Sequence, residues 1–395
     1  MVVHVVANCL AAFRHMAVLL SLRLLPFAIY GVLAATALRW RALMAGAYLV
    51  VPVVACYLGA RSSLFVIGIG AAYYLLISLG VNGLSRRLAD GRISRGGALV
   101  ALFFFYLLLP GVVFPGTALL LFLIVGWELV LSVYSYCVET SRAGSTTAPL
   151  RDCLFFLFVN PTVVYSARGT PEVAPDEHTG LWRAATGVVI MFVNAAALRP
   201  FAAYLHNSIA LAGLPTAAAL TWFAYGVGRF FAGYAAHSGL ASIHIGLMRQ
   251  AGWTVPERYQ YPFLATSPMD FWRRWNTYIR AWLEAYVFLP LARRAARATP
   301  RRSAQVIAAF VTLLVSGLIH DALVFAGRQT VTYHMSELFL AAGALLVVWR
   351  LAAFLSGAIR VRLSIHHTTQ FDLVTRLSSR LALTGAVVAA AIVWG

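Results

Sequence analysis

The chain has 395 residues, of which 61% are hydrophobic and 11% are charged, with a mean hydropathy of +0.80. These few polar side chains cannot cover the surface of a soluble globule. The composition therefore excludes a soluble protein and predicts an integral membrane protein. The formal net charge is +18, but the 31 strongly basic residues are all arginines, in short clusters between apolar runs. That distribution indicates membrane topology signals, and no nucleic-acid partner is expected.

Apolar stretches long enough to cross a bilayer recur along the chain. Unpaired backbone amides are excluded from lipid, and no alternating strand pattern occurs. We therefore predict an all-α polytopic helical bundle with short re-entrant or interfacial helices, forming one domain over residues 1–395. At roughly 17–25 apolar residues per crossing, about eleven crossings are predicted, at 16–38, 42–60, 64–84, 97–114, 117–138, 150–166, 184–206, 215–235, 304–326, 335–356 and 379–394.

Two basic loops set the expected orientation. The first holds four arginines between residues 86 and 95, and the second holds five between residues 293 and 302. Under the positive-inside rule both loops are cytoplasmic. Counting crossings backward from the first loop then places the N-terminus outside, and counting forward from the second sends the 304–326 helix outward.

The region 236–303 does not have the pattern of an ordinary crossing. Its prolines and paired arginines recur at intervals shorter than a bilayer, which predicts loops and short or re-entrant helices buried against protein. Within it, Ser267, Pro268 and Asp270 have the composition of a helix start, and one helix is expected over 270–285. Helical spacing places an aromatic and apolar face at Trp272, Trp275, Ile279, Trp282 and Tyr286, and a polar stripe at Arg273, Asn276 and Arg280.

Two ionisable residues, His320 and Asp321, lie inside the apolar run 306–325. Ionisable groups at membrane depth are costly and are functional candidates by default, although a lone histidine can also hydrogen-bond between packed helices. Successive helical side chains point about 100° apart, so Asp321 is not an obvious partner for the imidazole. No metal site is predicted, because His237, His244, His334, His366 and His367 have no metal-ligand spacing with a convincing companion carboxylate.

The sequence over 261–291 resembles the signature segment of the membrane-bound O-acyltransferase (MBOAT) superfamily. It is nearest to the bacterial branch that acylates cell-envelope polymers, as in teichoic acid D-alanylation and alginate O-acetylation. The superfamily pattern is NY-P-Y-L-A-x-S-x-x-x-F-W-R-R-W-H, then W, D-Y-V and I-P-L, and a later GLWHG-like helix is similar to Gly317–Asp321. The strong resemblance covers 256–326, and the residues that match the first pattern are Tyr261, Pro262, Phe263, Leu264, Ala265, Ser267, Phe271, Trp272, Arg273, Arg274, Trp275, Trp282, Tyr286, Val287, Pro290 and Leu291.

The resemblance implies a membrane-embedded O-acyltransferase of the bacterial plasma membrane. It would move an acyl group, such as acetyl, from a cytoplasmic thioester to a hydroxyl of an envelope glycan, a lipid or a secondary metabolite. His320 would be the general base, because a neutral histidine takes hydroxyl protons well near neutral pH. Asn276 would stabilise the oxyanion or orient the acceptor, and we expect both residues to line one cavity.

The implied donor is coenzyme A or a carrier-protein phosphopantetheine carrying the acyl thioester, with no permanently bound cofactor. Its phosphates would be held by Arg273, Arg274 and Arg280. Substrate contacts are predicted at Trp272, Trp275, Trp282 and Tyr286. Structural alternatives stay open: the arginines can mark the inner interface, the tryptophans can pack or form an interfacial belt, and Asn276 can hydrogen-bond between helices.

Four positions depart from the superfamily pattern. Asn276 replaces the histidine usual in polymer acylases and resembles the lipid- and protein-acylating branches, which leaves the acceptor class open. Ala285 replaces an acid, and Ile319 and Asp321 replace Trp and Gly beside the histidine, so a non-catalytic binding partner stays possible. A transporter or flippase is the alternative from another class, since intramembrane arginines and broken helices also line transport paths, but no inverted repeat is found.

Overall fold

In the part of the chain that it describes, the computed structural model consists of helices joined by turns and short loops. No β-strand occurs in the part that it describes, which confirms the predicted all-α class there. The predicted crossings at 16–38, 42–60 and 379–394 lie outside the described residues. Those residues are 80–109, 117–143, 153, 156–157, 162–166, 177–209, 215–250, 255–328 and 333–362.

The described helices vary from single short turns to elements longer than a bilayer is thick. In chain order they are α1 (Val81–Ala89), α2 (Arg95–Phe103), α3 (Thr117–Arg142), α4 (Glu177–Val193), α5 (Arg199–Ile209), α6 (Pro215–Gln250), α7 (Pro268–Arg274), α8 (Thr277–Leu283), α9 (Leu289–Ala295), α10 (Arg301–Arg328) and α11 (His334–Arg362). Short π-helical turns follow α2, join α4 to α5 and join α8 to α9, at Phe104–Leu108, Asn194–Leu198 and Glu284–Phe288, and a 3-10 turn lies at Pro262–Leu264.

Two helical stretches in the described part are long and apolar enough to cross a membrane, Gly180–Ser208 and Arg301–Phe325. They coincide with the predicted crossings at 184–206 and 304–326. On the first of them, large apolar side chains such as Phe192 are exposed, which is the surface that a lipid environment requires. The full number of crossings and the outside position of the N-terminus stay predictions.

The chain divides into two compact units. Unit 1 comprises residues 1–196, 237–256 and 326–329, and unit 2 comprises residues 197–236, 257–325 and 330–395. Every residue predicted for the site belongs to unit 2. A single domain over the whole chain stays a prediction.

In unit 1, glycines bring α4 and the end of α6 to backbone distance. A Cβ at Gly246 would lie 2.5 Å from the Ala184 nitrogen and 2.5 Å from the Gly180 oxygen. A Cβ at Gly187 would likewise lie 2.5 Å from the Gly239 oxygen. Because both pairs are spaced by two helical turns, the two antiparallel helices meet along one face, as small residues allow in membranes.

We expect Gly246→Val to destabilise unit 1 by about 3 kcal/mol, because the added atoms overlap backbone that is held by helical hydrogen bonds. Thermal unfolding in detergent measures the effect. Gly96→Val is the matched control, since a Cβ at Gly96 meets nothing within 4 Å. Equal melting temperatures of the two variants would contradict the close approach of α4 and α6.

In unit 2, α10 and α11 pack as an antiparallel pair in the same manner. A Cβ at Gly317 on α10 would lie 2.7 Å from the Ser336 Cα, near the start of α11. Two turns further along α11, a Cβ at Gly343 would lie 2.9 Å from the Phe310 ring. The close contact at Gly317 places the first turns of α11 beside His320.

Candidate active site

The predicted helix start at Ser267 is confirmed. The Ser267 hydroxyl accepts a hydrogen bond from the Asp270 backbone N–H at 3.1 Å, and the Asp270 carboxylate accepts one from the Thr266 N–H at 3.1 Å. The first bond gives a partner to an N–H that the helix leaves unpaired, and the second ties the residue before the cap to the first helical turn. Pro268 takes the first helical position, where no N–H is needed.

The predicted single helix over 270–285 is wrong, because the helix breaks in the middle of the signature segment. α7 ends at Arg274 and α8 begins at Thr277. Between them Asn276 has the left-handed conformation, with φ 37° and ψ 65°. Asparagine adopts this conformation more readily than most residues, which suits it to the break.

A loop that precedes α7 supplies the hydrogen bonds that replace helical ones at the break. The Gln260 N–H donates to the Arg274 carbonyl at 3.0 Å, and the Thr277 N–H donates to the Arg258 carbonyl at 2.8 Å. The Thr277 hydroxyl also donates to the Glu257 carbonyl, at 2.7 Å. Backbone groups that are buried must find partners, and this loop offers them only when the helix is interrupted.

The break divides the predicted aromatic face and polar stripe into two parts, so neither is one continuous surface. Trp272 and Trp275 lie at the α7 side of the break. Trp282 lies on α8, is buried, and contacts the Tyr286 ring with a centroid distance of 5.3 Å. The four aromatic residues therefore do not share one helix face as the spacing had indicated.

Trp275 lies inside an aromatic cluster. Its indole is nearly parallel to the rings of Phe230 and Phe271, at 22° to each and with centroid distances of 5.6 and 5.5 Å. The rings of Tyr234 and Tyr259 lie 5.6 and 5.4 Å from it. Contacts of this kind are typical of packing, so the geometry favours the structural alternative for Trp275.

The Asn276 side chain has one amide orientation. The Arg258 Nε–H donates to the Asn276 Oδ1 at 3.1 Å, and because a guanidinium only donates, the atom that faces it is the oxygen. The Arg258 guanidinium also lies over the Tyr278 ring, 5.6 Å from its centroid. The Nδ2 donor of Asn276 therefore lies on the side of the amide away from Arg258. Arg258 was not predicted as a site residue, because no spacing links it to Asn276.

Arg274 is held within α7 and by the preceding loop. Its Nε donates to the Asp270 carboxylate at 3.0 Å, and its Nη1 donates to the Gln260 carbonyl at 3.3 Å. Partial burial raises the pKa of Asp270, but the hydrogen bonds from Arg274 and Thr266 and the charges of Arg274 and Arg273 lower that pKa more. The net result is an Asp270 pKa below its ordinary value, so this carboxylate is ionised at neutral pH.

The other two predicted arginines differ in their partners. Arg280 donates to the Glu284 carboxylate at 2.6 Å, one turn further along. Arg273 is exposed and makes no hydrogen bond or ion pair with a described residue. Of the three guanidinium groups, the one on Arg273 therefore has the most capacity to bind an added anion.

His320 lies half-buried on α10, and its ring is oriented by its own helix. The Nδ1 atom is 2.6 Å from the carbonyl oxygen of Ser316, one turn earlier. A carbonyl only accepts, so Nδ1 carries the proton and the lone pair of the neutral imidazole is on Nε2. This is the tautomer with which a histidine acts as a base through Nε2.

Phe339 on α11 connects the two sequence motifs. Its ring centroid lies 5.1 Å from that of His320 and 5.6 Å from that of Trp272. Phe339 itself is buried. Trp272 and His320 therefore both contact Phe339. Among the described ring contacts, Trp275 has none with Phe339. Phe339 lies beyond the motif region 256–326, and nothing in the sequence singles it out.

The Asp321 carboxylate is directed to the start of α11. It accepts hydrogen bonds from the backbone N–H groups of Met335 and Ser336, at 3.0 and 2.8 Å. This agrees with the expectation that Asp321 is not the partner of the His320 imidazole. That His320 and Asn276 line one cavity stays a prediction.

Residues 255–341 match the model of the Membrane bound O-acyl transferase family. The chain is 40% identical over 84 residues to a probable long-chain-alcohol O-fatty-acyltransferase of Arabidopsis thaliana. It is 38% identical over 88 residues to an acyl-CoA–sterol O-acyltransferase of the same plant. It is also 33% identical over 86 residues to a probable alginate O-acetylase of Pseudomonas fluorescens.

These similarities confirm the family resemblance predicted from the motifs, and they are confined to one segment. They cover 21% or 22% of this chain. They span a quarter of the two plant relatives, 25% of each, and 16% of the alginate O-acetylase. The matched segment includes the loop before α7, the broken helix and the α10–α11 contact.

Proposed function

We propose that this chain is a membrane-embedded O-acyltransferase in which His320 is the general base. The observation that carries the proposal is the hydrogen bond from the His320 Nδ1 to the Ser316 carbonyl, which places the imidazole lone pair on Nε2. The family match over 255–341 includes His320 and the signature segment. The names of the relatives add support, since all three describe O-acyltransferases or O-acetylases.

The reaction needs one base and one oxyanion donor. His320 Nε2 takes the proton of an acceptor hydroxyl while the hydroxyl oxygen attacks the thioester carbonyl carbon. The tetrahedral oxyanion then collapses, the carbon–sulfur bond breaks, and the imidazolium returns the proton to the leaving thiolate. The products are an ester and a free thiol. The mechanism needs no covalent acyl-enzyme.

Asn276 is the proposed oxyanion donor. Arg258 holds the Oδ1 atom, which leaves the Nδ2–H as the group of the amide proposed to donate to the oxyanion. The left-handed backbone at Asn276 fixes the point from which that side chain leaves the chain. A donor fixed in this way stabilises developing charge without having to reorient during the reaction.

The donor substrate is proposed to be a coenzyme A thioester or a carrier-protein phosphopantetheine thioester, with its phosphates bound by Arg273. Planar guanidinium groups match phosphate oxygens, and the Arg273 side chain is exposed and makes no ion pair with a described carboxylate. Arg274 and Arg280 already donate to Asp270 and Glu284. Their proposed contribution is to add positive charge near the phosphates of the donor.

We expect Arg273→Gln to raise the KM for the acyl donor by roughly tenfold, the effect of losing a charged hydrogen bond, with little change in the KM for the acceptor. Arg274→Gln is the matched control at the adjacent position. It removes a guanidinium that is bound to Asp270, so it should mainly lower the melting temperature. Added salt should partly reproduce the Arg273→Gln defect in the wild-type protein.

Steady-state kinetics in nanodiscs, with each substrate varied in turn, separates these outcomes. A raised KM for the acceptor with an unchanged KM for the donor would assign Arg273 to the acceptor side. An Arg274→Gln variant with the larger donor defect would reverse the roles of the two arginines.

The acceptor is proposed to be an apolar alcohol, such as a long-chain or sterol-like alcohol. The His320 ring contacts the buried Phe339 ring, and Phe339 contacts Trp272, so the surroundings of the proposed base are aromatic. The relatives named for long-chain alcohols and sterols have 40% and 38% identity, against 33% for the alginate O-acetylase. Asn276 at the position that is histidine in polymer acylases also favours a lipid acceptor over a glycan.

Ester formation tests the proposal directly. Purified protein in nanodiscs is given radiolabelled acyl-coenzyme A with hexadecanol, a sterol or an alginate oligosaccharide, and lipid and aqueous products are separated. The expected result is labelled ester with an apolar alcohol. Labelled oligosaccharide would support O-acyltransferase activity but would show that the acceptor is a glycan. Donor binding without any labelled product would favour a non-catalytic binding protein, and release of unmodified substrate across the membrane would favour a transporter.

A further inference from the structure

We propose that Asp321 is a positioning residue that clamps the start of α11 to α10, so that Phe339 holds the His320 imidazole in its reactive place. The inference rests on the proposed function for its kinetic consequences. Its structural basis is independent of that function, because it consists of contacts within unit 2.

The Asp321 carboxylate uses both oxygens on α11. Oδ1 accepts from the Met335 N–H, and Oδ2 accepts from the Ser336 N–H and from the Ser336 hydroxyl. Asp321 is buried, with 6% of its surface exposed. The first N–H groups of a helix have no partner within that helix, and a carboxylate there is also favoured by the helix dipole. Here that carboxylate comes from the neighbouring helix, so the capping interaction fixes two helices to each other.

Gly317 makes the same junction tight. One turn before Asp321, a Cβ at Gly317 would lie 2.7 Å from the Ser336 Cα, and 3.1 Å from both the Met335 oxygen and the Phe339 Cβ. The two backbones are therefore already in contact where the carboxylate binds. Little room is left for α11 to shift toward α10, and the Asp321 hydrogen bonds prevent a shift away from it.

Phe339 transmits this constraint to the histidine. It lies one turn after Ser336, on the same side of α11, and its ring is 5.1 Å from the His320 ring. Asp321 acts through α11 and not by contact with the imidazole, since its carboxylate oxygens bind Met335 and Ser336. Loss of the clamp should therefore change the position of the imidazole while leaving its hydrogen bond to Ser316 intact.

The test variant is Asp321→Asn, which keeps the shape but replaces one acceptor oxygen with an NH2 group that faces backbone N–H donors. We expect the kcat for ester formation to fall roughly 10- to 100-fold, the range for a small misplacement of a reacting group. The KM for the acyl donor should stay within about twofold, because donor binding does not depend on imidazole position. Thr312→Ala, which removes a hydrogen bond confined to α10 (Thr312 to the Ala308 carbonyl, 2.6 Å), should leave kcat unchanged.

A double-mutant cycle with Phe339→Ala distinguishes positioning from simple stabilisation. If Asp321 acts through Phe339, the Asp321→Asn/Phe339→Ala variant should be no slower than the slower single variant. Rate losses that multiply would show that Asp321 acts independently of Phe339 and would overturn the proposal. If Asp321→Asn does not fold, Ser336→Ala removes only one of the three hydrogen bonds. It should lower kcat a few-fold, and an unchanged kcat would equally overturn the proposal.

Chemical labelling of His320 tests the clamp without any assay of activity. Diethyl pyrocarbonate modifies imidazole nitrogens, and mass spectrometry gives the rate for each histidine, with exposed His206 as the internal reference. Relative to His206, His320 should react several-fold faster in Asp321→Asn than in the wild type, because Phe339 no longer covers its ring. An unchanged ratio would refute the clamp, whereas an absence of ester formation by the wild type would refute the proposed function and leave this result valid.

Discussion

His320→Ala is expected to lower the rate of acyl transfer by roughly 10³-fold, within the usual range for loss of a positioned general base. The variant lacks the Nε2 lone pair that takes the hydroxyl proton. The donor KM should change little, because donor binding is assigned to the signature segment. Initial rates of ester formation in nanodiscs measure both effects.

The fold should survive the His320→Ala change. The interactions that the variant loses include the hydrogen bond to Ser316 and the ring contact to Phe339, and truncating one half-buried side chain in a large helical protein should cost about 1–3 kcal/mol. Yield and melting temperature are the checks. His206→Ala, at an exposed histidine in the same unit, is the control and should keep wild-type rates. Turnover by His320→Ala at a substantial fraction of the wild-type rate would eliminate His320 as an essential base.

Asn276→Asp is expected to lower kcat by roughly 10²- to 10³-fold, the typical effect of removing one oxyanion donor. The change is nearly isosteric. Aspartate keeps an oxygen for the Arg258 Nε–H, and it also tolerates the left-handed backbone at this position. It removes only the Nδ2–H and adds a negative charge that opposes the oxyanion.

The Asn276→Asp variant therefore distinguishes a catalytic role of Asn276 from a purely structural role. If Asn276 only supports the helix break, Asn276→Asp should keep wild-type kcat, and Asn276→Ala should lose stability because it cannot accept from Arg258. If Asn276 stabilises the oxyanion, both variants should be slow although Asn276→Asp melts near the wild-type temperature. A wild-type kcat in Asn276→Asp would show that the role of Asn276 is structural and not catalytic.

Local signals in the sequence were sufficient for the helix start, and they singled out His320 as a candidate. Ser267 and Asp270 cap α7 as their composition predicted, because a cap depends on neighbours within four residues. His320 was identified by its position in an apolar run. Its tautomer follows from the Ser316 carbonyl one turn earlier, which is again a local feature of a helix.

The break at Asn276 was missed because its cause is not local. Periodicity over 270–285 fits a helix, and no spacing rule reveals that backbone groups of Arg258 and Gln260 replace helical partners of Thr277 and Arg274. The predicted aromatic face failed for the same reason. Tertiary hydrogen bonds changed the direction of the chain in the middle of the pattern.

Contacts between residues distant in sequence account for the rest of the site. Phe339 gains its role from two ring contacts and Arg258 from one amide oxygen, and neither residue stands out by type or spacing. Asp321 differs from the superfamily pattern beside the histidine, and its partners on α11 give that difference a physical reason. A residue that departs from a motif can therefore mark a structural solution of this chain and not a loss of activity.

The most direct test of the account is an experimental structure of the protein in nanodiscs with a non-hydrolysable acyl-coenzyme A analogue and an apolar alcohol. The alcohol oxygen is expected within hydrogen-bonding distance, roughly 2.6–3.2 Å, of His320 Nε2. The Asn276 Nδ2 is expected at the analogue's carbonyl oxygen, and the phosphates are expected at Arg273. An acyl group bound away from His320, with Asn276 and the imidazole facing separate spaces, would contradict the central claim.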